Sequence, residues 1–347
     1  MCAVALDLGT CALGRAIDAQ GLPLDGGPPL RGRRVMLDPR SPRPNEREPI
    51  ASPLWTGVRA LDALLTIGRG ARIGIFGPPG TGKSSLIESI VAGCRCDAVV
   101  VALAGERGRE AQRWIADRAP RMTVICATSD RPARERIAAA NVAVAHACAL
   151  RERGLHVLLV LDSLARVAAA LREAGVSAGQ STGRGGYPPS VFAELARLVE
   201  VAGAVPTGSI TLVATVLSDG DDRDPVSEAA RSLLDGHIAL SLRLAERGCF
   251  PAIDVPASTS RTMSSVAGET HLRAAARLRG ALALLRRLED ARALGIEPRD
   301  GAGRAAAAAE SQIERFLRQG REAANPEESI AELIAIAGSL DAADARR

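Results

Sequence analysis

The sequence predicts an α/β core built on a parallel sheet, and three observations predict it. Between about residues 54 and 265, five apolar blocks recur at 71–77, 97–105, 122–129, 156–163 and 209–218. Each block is nearly continuous in Val, Leu, Ile and Ala rather than alternating, which is the signature of strands covered on both faces. The stretches between them (84–93, 110–119, 131–154 and 189–203) carry apolar residues at helical spacing. Parallel strands need such crossover helices.

The flanks read differently. Residues 1–30 hold short alternating apolar pieces with Gly and Asp turns, which predict β-structure too short to bury a core alone. Residues 31–53 are rich in Arg and Pro and predict a linker or extended segment. From 269 to 347, Ala, Leu, Arg and Glu dominate, and Gly, Pro and Asp turns divide them into three helices. The expected organisation is therefore 1–30, a linker at 31–53, an α/β domain at 54–268 and a helical domain at 269–347.

Composition narrows the function classes. Aromatic residues make up only 2% of the chain, so the core is aliphatic and stacking readout of single-stranded nucleic acid is not expected. A net charge of +4 gives no basic footprint for a nucleic-acid partner, and the loop 219–224 is acidic. Seven cysteines lack C-x-x-C spacing, which predicts reduced thiols in a cytosolic compartment. No apolar run of membrane-spanning length occurs. The N-terminus lacks a basic region and carries Asp7, so no signal peptide is expected.

The chemistry begins at Gly77–Ser84, which fits G-x-x-x-x-G-K-[ST]. It follows a predicted strand and opens a predicted helix, so backbone N–H groups and the helix N-terminus would cradle phosphates. Gly77, Gly80, Thr81, Gly82, Lys83, Ser84 and Ser85 are the candidate nucleotide-binding residues. Lys83 would neutralise the β- and γ-phosphates, and the Ser84 hydroxyl would hold Mg²⁺. Lys83 is also the only lysine of the chain; every other basic side chain is arginine. A compact ammonium inside a backbone cradle is the one basic role that a planar guanidinium fills poorly.

Two carboxylates follow. Asp162 ends the apolar strand at 156–162, the position from which a carboxylate meets Mg²⁺ directly or through water. The alternative for it is capping of the next helix. Glu106 stands at the end of the neighbouring apolar block, where it could polarise the water that attacks the γ-phosphate. The alternative for it, as for Glu110, is a charged helix cap.

The stretches GERGRE, LLVLDSLAR, GYPPSVFAELARL, GSITLVATVLSDGDD, RSLLDGHIALSLRLAERG and PAIDVPASTSR together resemble the ATPases of type III protein secretion and flagellar export. That family is related to the catalytic subunit of the rotary ATP synthase. The resemblance runs from about Leu13 to the C-terminus and implies a RecA-like P-loop ATPase core. By it, Glu106 matches the catalytic glutamate, and Arg107 and Arg166 match positions near the γ-phosphate. Arg261 matches the arginine offered to the neighbouring subunit's nucleotide, a finger worth about 10³–10⁵ in rate in other systems. Phe250 falls where relatives place an aromatic ring against adenine. Also implied are ATP and Mg²⁺ as cofactors, a homohexamer, and partners among chaperone–effector complexes and the stalk and stator proteins of the export apparatus. Its location would be the cytoplasm, peripheral to the inner membrane.

Within this family the expected function is the ATP-driven motor of a virulence-type secretion system. The alternatives are a flagellar export ATPase, a rotary ATP synthase subunit, or an ATP-binding paralogue with little activity. A helicase or terminator would need a nucleic-acid domain ahead of the motor, for which residues 1–53 are too few. Two departures stand out. The loop interior Pro78-Pro79-Gly80-Thr81 replaces the small-residue interior usual in the family. Only the tail of the family's N-terminal β-barrel is recognisable, around 12–30, so either translation starts upstream of Met1 or most of the barrel has been lost.

Overall fold

The computed structural model describes residues 5–218, 224–294, 298 and 300–344. Met1 and most of the acidic loop 219–224 lie outside them. The chain forms two compact units, each assembled from three separate segments.

The first unit comprises Met1–Ile50, Arg69–Phe76 and Cys96–Asp235. Its sheet runs in the order Arg72–Gly77, Gly208–Leu217, His156–Asp162, Ala98–Glu106, Met122–Thr128 and Ala16–Asp18. Strand Ala98–Glu106 is parallel to both His156–Asp162 and Met122–Thr128, and His156–Asp162 is parallel to Gly208–Leu217. The central strands are buried along their whole length, which is why they read as unbroken apolar runs. Helix Ala133–Arg151 packs on these strands. Its buried alanines, among them Ala139, Ala140, Ala143 and Ala147, let its backbone come close to the sheet. Helix Leu164–Ser177 packs between it and Pro189–Glu200.

The N-terminal residues join this unit. Ala16–Asp18 adds a parallel edge strand beside Met122–Thr128, and Ala5–Leu8 pairs antiparallel with Arg33–Met36. The second of these lies in the stretch read as a linker. Its sequence, Arg-Arg-Val-Met, gives no alternation to reveal a strand. Further along the same stretch, Arg47 donates to the carbonyls of Ala202 at 2.8 Å and Glu200 at 2.6 Å, satisfying acceptors at and just past the end of helix Pro189–Glu200. The Arg/Pro segment is thus tied down at Arg47.

The second unit comprises Ala51–Gly68, Gly77–Arg95 and Gly236–Arg347. Helices Glu269–Ala293, Gly301–Leu317 and Pro326–Asp344 pack on one another and on the short helix Arg59–Leu64. Leu278, Ile313, Phe316, Leu333, Ile336 and Leu340 fill their common core. The Asp300 side chain caps the second helix by accepting the N–H of Gly303. Helix Lys83–Gly93, which follows the phosphate loop, belongs to this unit. Among the described residues, no helix is long and apolar enough to cross a membrane.

Candidate active site

The phosphate loop starts where strand Arg72–Gly77 ends. Gly82 takes φ of 85° and N-caps helix Lys83–Gly93, a turn that glycine alone makes without strain. Thr81 is buried and its hydroxyl donates to the Pro78 carbonyl at 2.8 Å, closing the loop on itself. The Lys83 ammonium donates to the carbonyls of Gly77 at 2.6 Å and Pro78 at 2.7 Å. It therefore folds back over the loop that its own backbone defines. Ser84 is half-buried and Ser85 exposed in the first helical turn. The two prolines leave the loop closed, because its internal bonds use the carbonyl of Pro78 and need no N–H from Pro78 or Pro79. In the same unit the Phe250 ring lies against the loop. A Cβ on Gly82 would stand 3.4 Å from Phe250 Cε1. Phe250 remains 45% exposed, an aromatic face open at the mouth of a phosphate cradle.

The carboxylates belong to the first unit. The parallel register sets Leu103 opposite Asp162 and Ala214 opposite Leu161. Thr215 thereby lands beside Asp162, and its hydroxyl donates to Oδ1 at 2.6 Å. Burial pushes the Asp162 carboxyl above the usual range, and the Thr215 bond works against that rise. Asp162 does not cap the following helix; Ser163 does, accepting the N–H of Arg166 at 3.2 Å.

Glu106 reaches its position through a bulge. The register with Met122–Thr128 shifts between Ala104 and Glu106, and Gly105 takes φ of 82° there. A bulge re-aims the next side chain. Glu106 is consequently buried at 3% exposure, with Oε1 accepting the Arg107 N–H at 2.9 Å and Oε2 paired with Arg166 Nη1. It is no surface cap. Arg107, in contrast, directs its exposed side chain toward Glu110 at 3.9 Å.

The structure thus brings Glu106 and Arg166 together in one unit, where Asp162 is held by Thr215. In the other it brings Lys83, Gly77, Gly82 and Phe250 together. Arg261 is exposed just past the short strand Thr259–Ser260 of the second unit. Residue type and position at a strand end mark Glu106 and Asp162 in the sequence, whereas Gly105 and Thr215 carry no such mark. A glycine between an apolar strand and an acidic residue is the signal that could have marked the bulge. Nothing in the sequence marks Thr215, since its role comes from register alone.

Residues 57–260 match the ATP synthase alpha/beta family, nucleotide-binding domain. The chain is 44% identical over 341 residues to the type 3 secretion system ATPase of Xanthomonas euvesicatoria, an alignment covering 95% of this chain and 77% of that one. It is 42% identical over 342 residues to the flagellum-specific ATP synthase of Bacillus subtilis, covering 96% and 78%. Among solved structures, the assembled ATPase EscN from the enteropathogenic E. coli type III secretion system superposes with a TM-score of 0.92 at 39% identity. That match covers 96% of this chain and 83% of EscN.

Proposed function

The chain belongs to the ATP synthase α/β family, among its type III secretion and flagellar export ATPases, and we propose that it is the ATP-hydrolysing motor of a type III protein secretion system. The observation that carries the reading is the buried Glu106, turned by the Gly105 bulge at a strand end and held by Arg166, in a chain that also has a closed phosphate loop around Lys83. A paralogue retaining only binding would have no need of that carboxylate. Lys83 neutralises the β- and γ-phosphates, Glu106 polarises the attacking water, and Arg107 and Arg166 meet the γ-phosphate charge. Phe250 carries the adenine. Arg261 serves the nucleotide of a neighbouring subunit in a hexamer.

Mg²⁺ suits the donors that the proposal assigns to it. The Ser84 hydroxyl and the Asp162 carboxylate are hard oxygens, and Thr215 donates to the Oδ1 of that carboxylate. The ion takes few protein ligands and completes its octahedron with phosphate and water. When bound, it would supply charge neutralisation to the phosphates.

EscN has been solved as an assembled ATPase and in complex with its central stalk EscO. By analogy we assign this chain a homohexamer that works with stalk and stator proteins on chaperone–effector complexes at the cytoplasmic face of the inner membrane. The proposed division is a motor domain at 54–268 and a helical domain at 269–347. The flagellar relative favours flagellar export as the second reading. Type 3 secretion system ATPases at 44–49% identity favour the first.

The test is ATP-dependent release of a secretion effector from its chaperone. Release by the wild type and none by Glu106→Gln is expected. Equal release by both proteins would contradict the motor function.

A further inference from the structure

We propose that Gln319 is a positioning residue that holds Phe250 against the phosphate loop and thereby sets affinity for the nucleotide base. The inference rests on the reading of Phe250 as the adenine platform. The ring is 45% exposed, so burial does not fix it; its main chain must. The Gln319 N–H donates to the Phe250 carbonyl at 3.0 Å, and Arg318 Nη2 approaches Cys249 Sγ at 3.2 Å. Two consecutive residues beyond helix Gly301–Leu317 therefore grip two consecutive residues of the platform.

Gln319 is itself fixed by its side chain. Its Oε1 accepts the N–H of Arg59 at 2.8 Å, and its Nε2 donates to the carbonyls of Gly57 at 2.7 Å and Glu322 at 2.8 Å. One acceptor and two donors are all used, a pattern that matches a primary amide and no other side chain of that length. Glutamate would set a carboxylate against two carbonyl oxygens, and alanine would remove all three bonds.

The turn that receives these bonds is rigid. Buried Asp62 accepts the Thr56 N–H and hydroxyl, each at 2.8 Å, and the Gly57 N–H at 2.9 Å. The same turn abuts the end of the phosphate-loop helix. A Cβ on Gly57 would stand 3.0 Å from Gly93 Cα, and Arg95 donates its N–H to the Trp55 carbonyl at 2.9 Å. Gln319 thus refers the base platform and the helix Lys83–Gly93 to one turn. Loosening it leaves the phosphate cradle intact and lets the ring drift from Gly82.

The experiment compares calorimetric binding of ADP with that of inorganic triphosphate, which has no base, on the full chain. Gln319→Ala and Gln319→Glu are each expected to weaken ADP about tenfold while leaving inorganic triphosphate within about twofold. Gln319→Glu, nearly isosteric, carries the test if the alanine variant does not fold. Phe250→Ala should weaken ADP alone, and adding Gln319→Ala to it should cost nothing more. Equal losses for both ligands would make Gln319 merely structural and overturn the proposal, as would unchanged ADP binding beside a weakened Phe250→Ala. If Phe250→Ala leaves ADP binding unchanged, the platform reading falls and the proposal falls with it.

Discussion

Arg166 donates through Nη1 to one oxygen of Glu106, while the Arg107 N–H takes the other at 2.9 Å. These two bonds leave each Glu106 oxygen a further lone pair, so the carboxylate can still accept a hydrogen bond from water. The pair also has a structural side. Removing Arg166 leaves a buried charge without its partner, whereas Glu106→Gln removes the charge itself. Arg166→Ala should therefore destabilise by about 2 kcal/mol, below the value for fully buried pairs because Arg166 is a third exposed. Urea midpoints should place Glu106→Gln between that variant and the wild type.

Gly105 tests the bulge. A Cβ there would meet Arg136 Cδ at 3.3 Å and Arg166 Cβ at 3.5 Å, on a backbone with φ of 82°. Gly105→Ala should cost about 1–2 kcal/mol of stability. Because the strain falls on the residue that aims Glu106, kcat should drop while nucleotide affinity holds. A change in affinity alone would detach Gly105 from the chemistry.

Thr215 tests the metal carboxylate. Burial raises the Asp162 carboxyl, and the Thr215 hydroxyl counters it. Without that donor the raised pKa moves higher still. In Thr215→Val, the acid limb of the kcat/KM profile should shift to higher pH and the Mg²⁺ requirement should increase. An unchanged acid limb would show that Asp162 does not need to be ionised for turnover.

Two buried histidines set the acid stability. Burial pushes the imidazoles of His146 and His156 down to about 4. In the unfolded chain they would take protons near the ordinary value of about 6.5. Their contribution is present above that pH and is lost as pH falls toward 4. Asp62, pushed up to about 6 by burial, works in the opposite direction and offsets part of the loss. The urea midpoint should fall between pH 7 and pH 5, and less steeply in His146→Gln, by about 1–2 kcal/mol. Parallel curves for the two proteins would contradict this assignment.

Much of this arrangement was legible from residue order. Strands buried on both faces have little choice but continuous Val, Leu and Ile, so the five apolar blocks and the crossover helices declare themselves. The residues at their C-terminal ends, Gly77, Glu106 and Asp162, follow from strand length. What stayed hidden depends on contacts far apart in sequence. Thr215 partners Asp162 only through parallel register, and Arg33–Met36 is a strand only because Ala5–Leu8 lies beside it. Gln319 reads as a polar residue after a helix until its amide is seen between Gly57 and Arg59. The gathering of the phosphate loop with the C-terminal helices into one unit has no local signal at all.

Arg261 bears on assembly. If it serves a neighbouring subunit, specific activity should rise with protein concentration, and Arg261→Ala should lose about 10³-fold or more of the wild-type rate at every concentration. A rate per molecule that is independent of concentration would remove the finger in trans.

The central claim, that this chain hydrolyses ATP with Glu106 as the group acting on water, is tested most directly by ATP turnover and ADP binding measured together on the wild type and Glu106→Gln. Equal ADP affinity and a turnover lower by about 10²–10⁴ in the variant are expected. Equal turnover in the two proteins would contradict it.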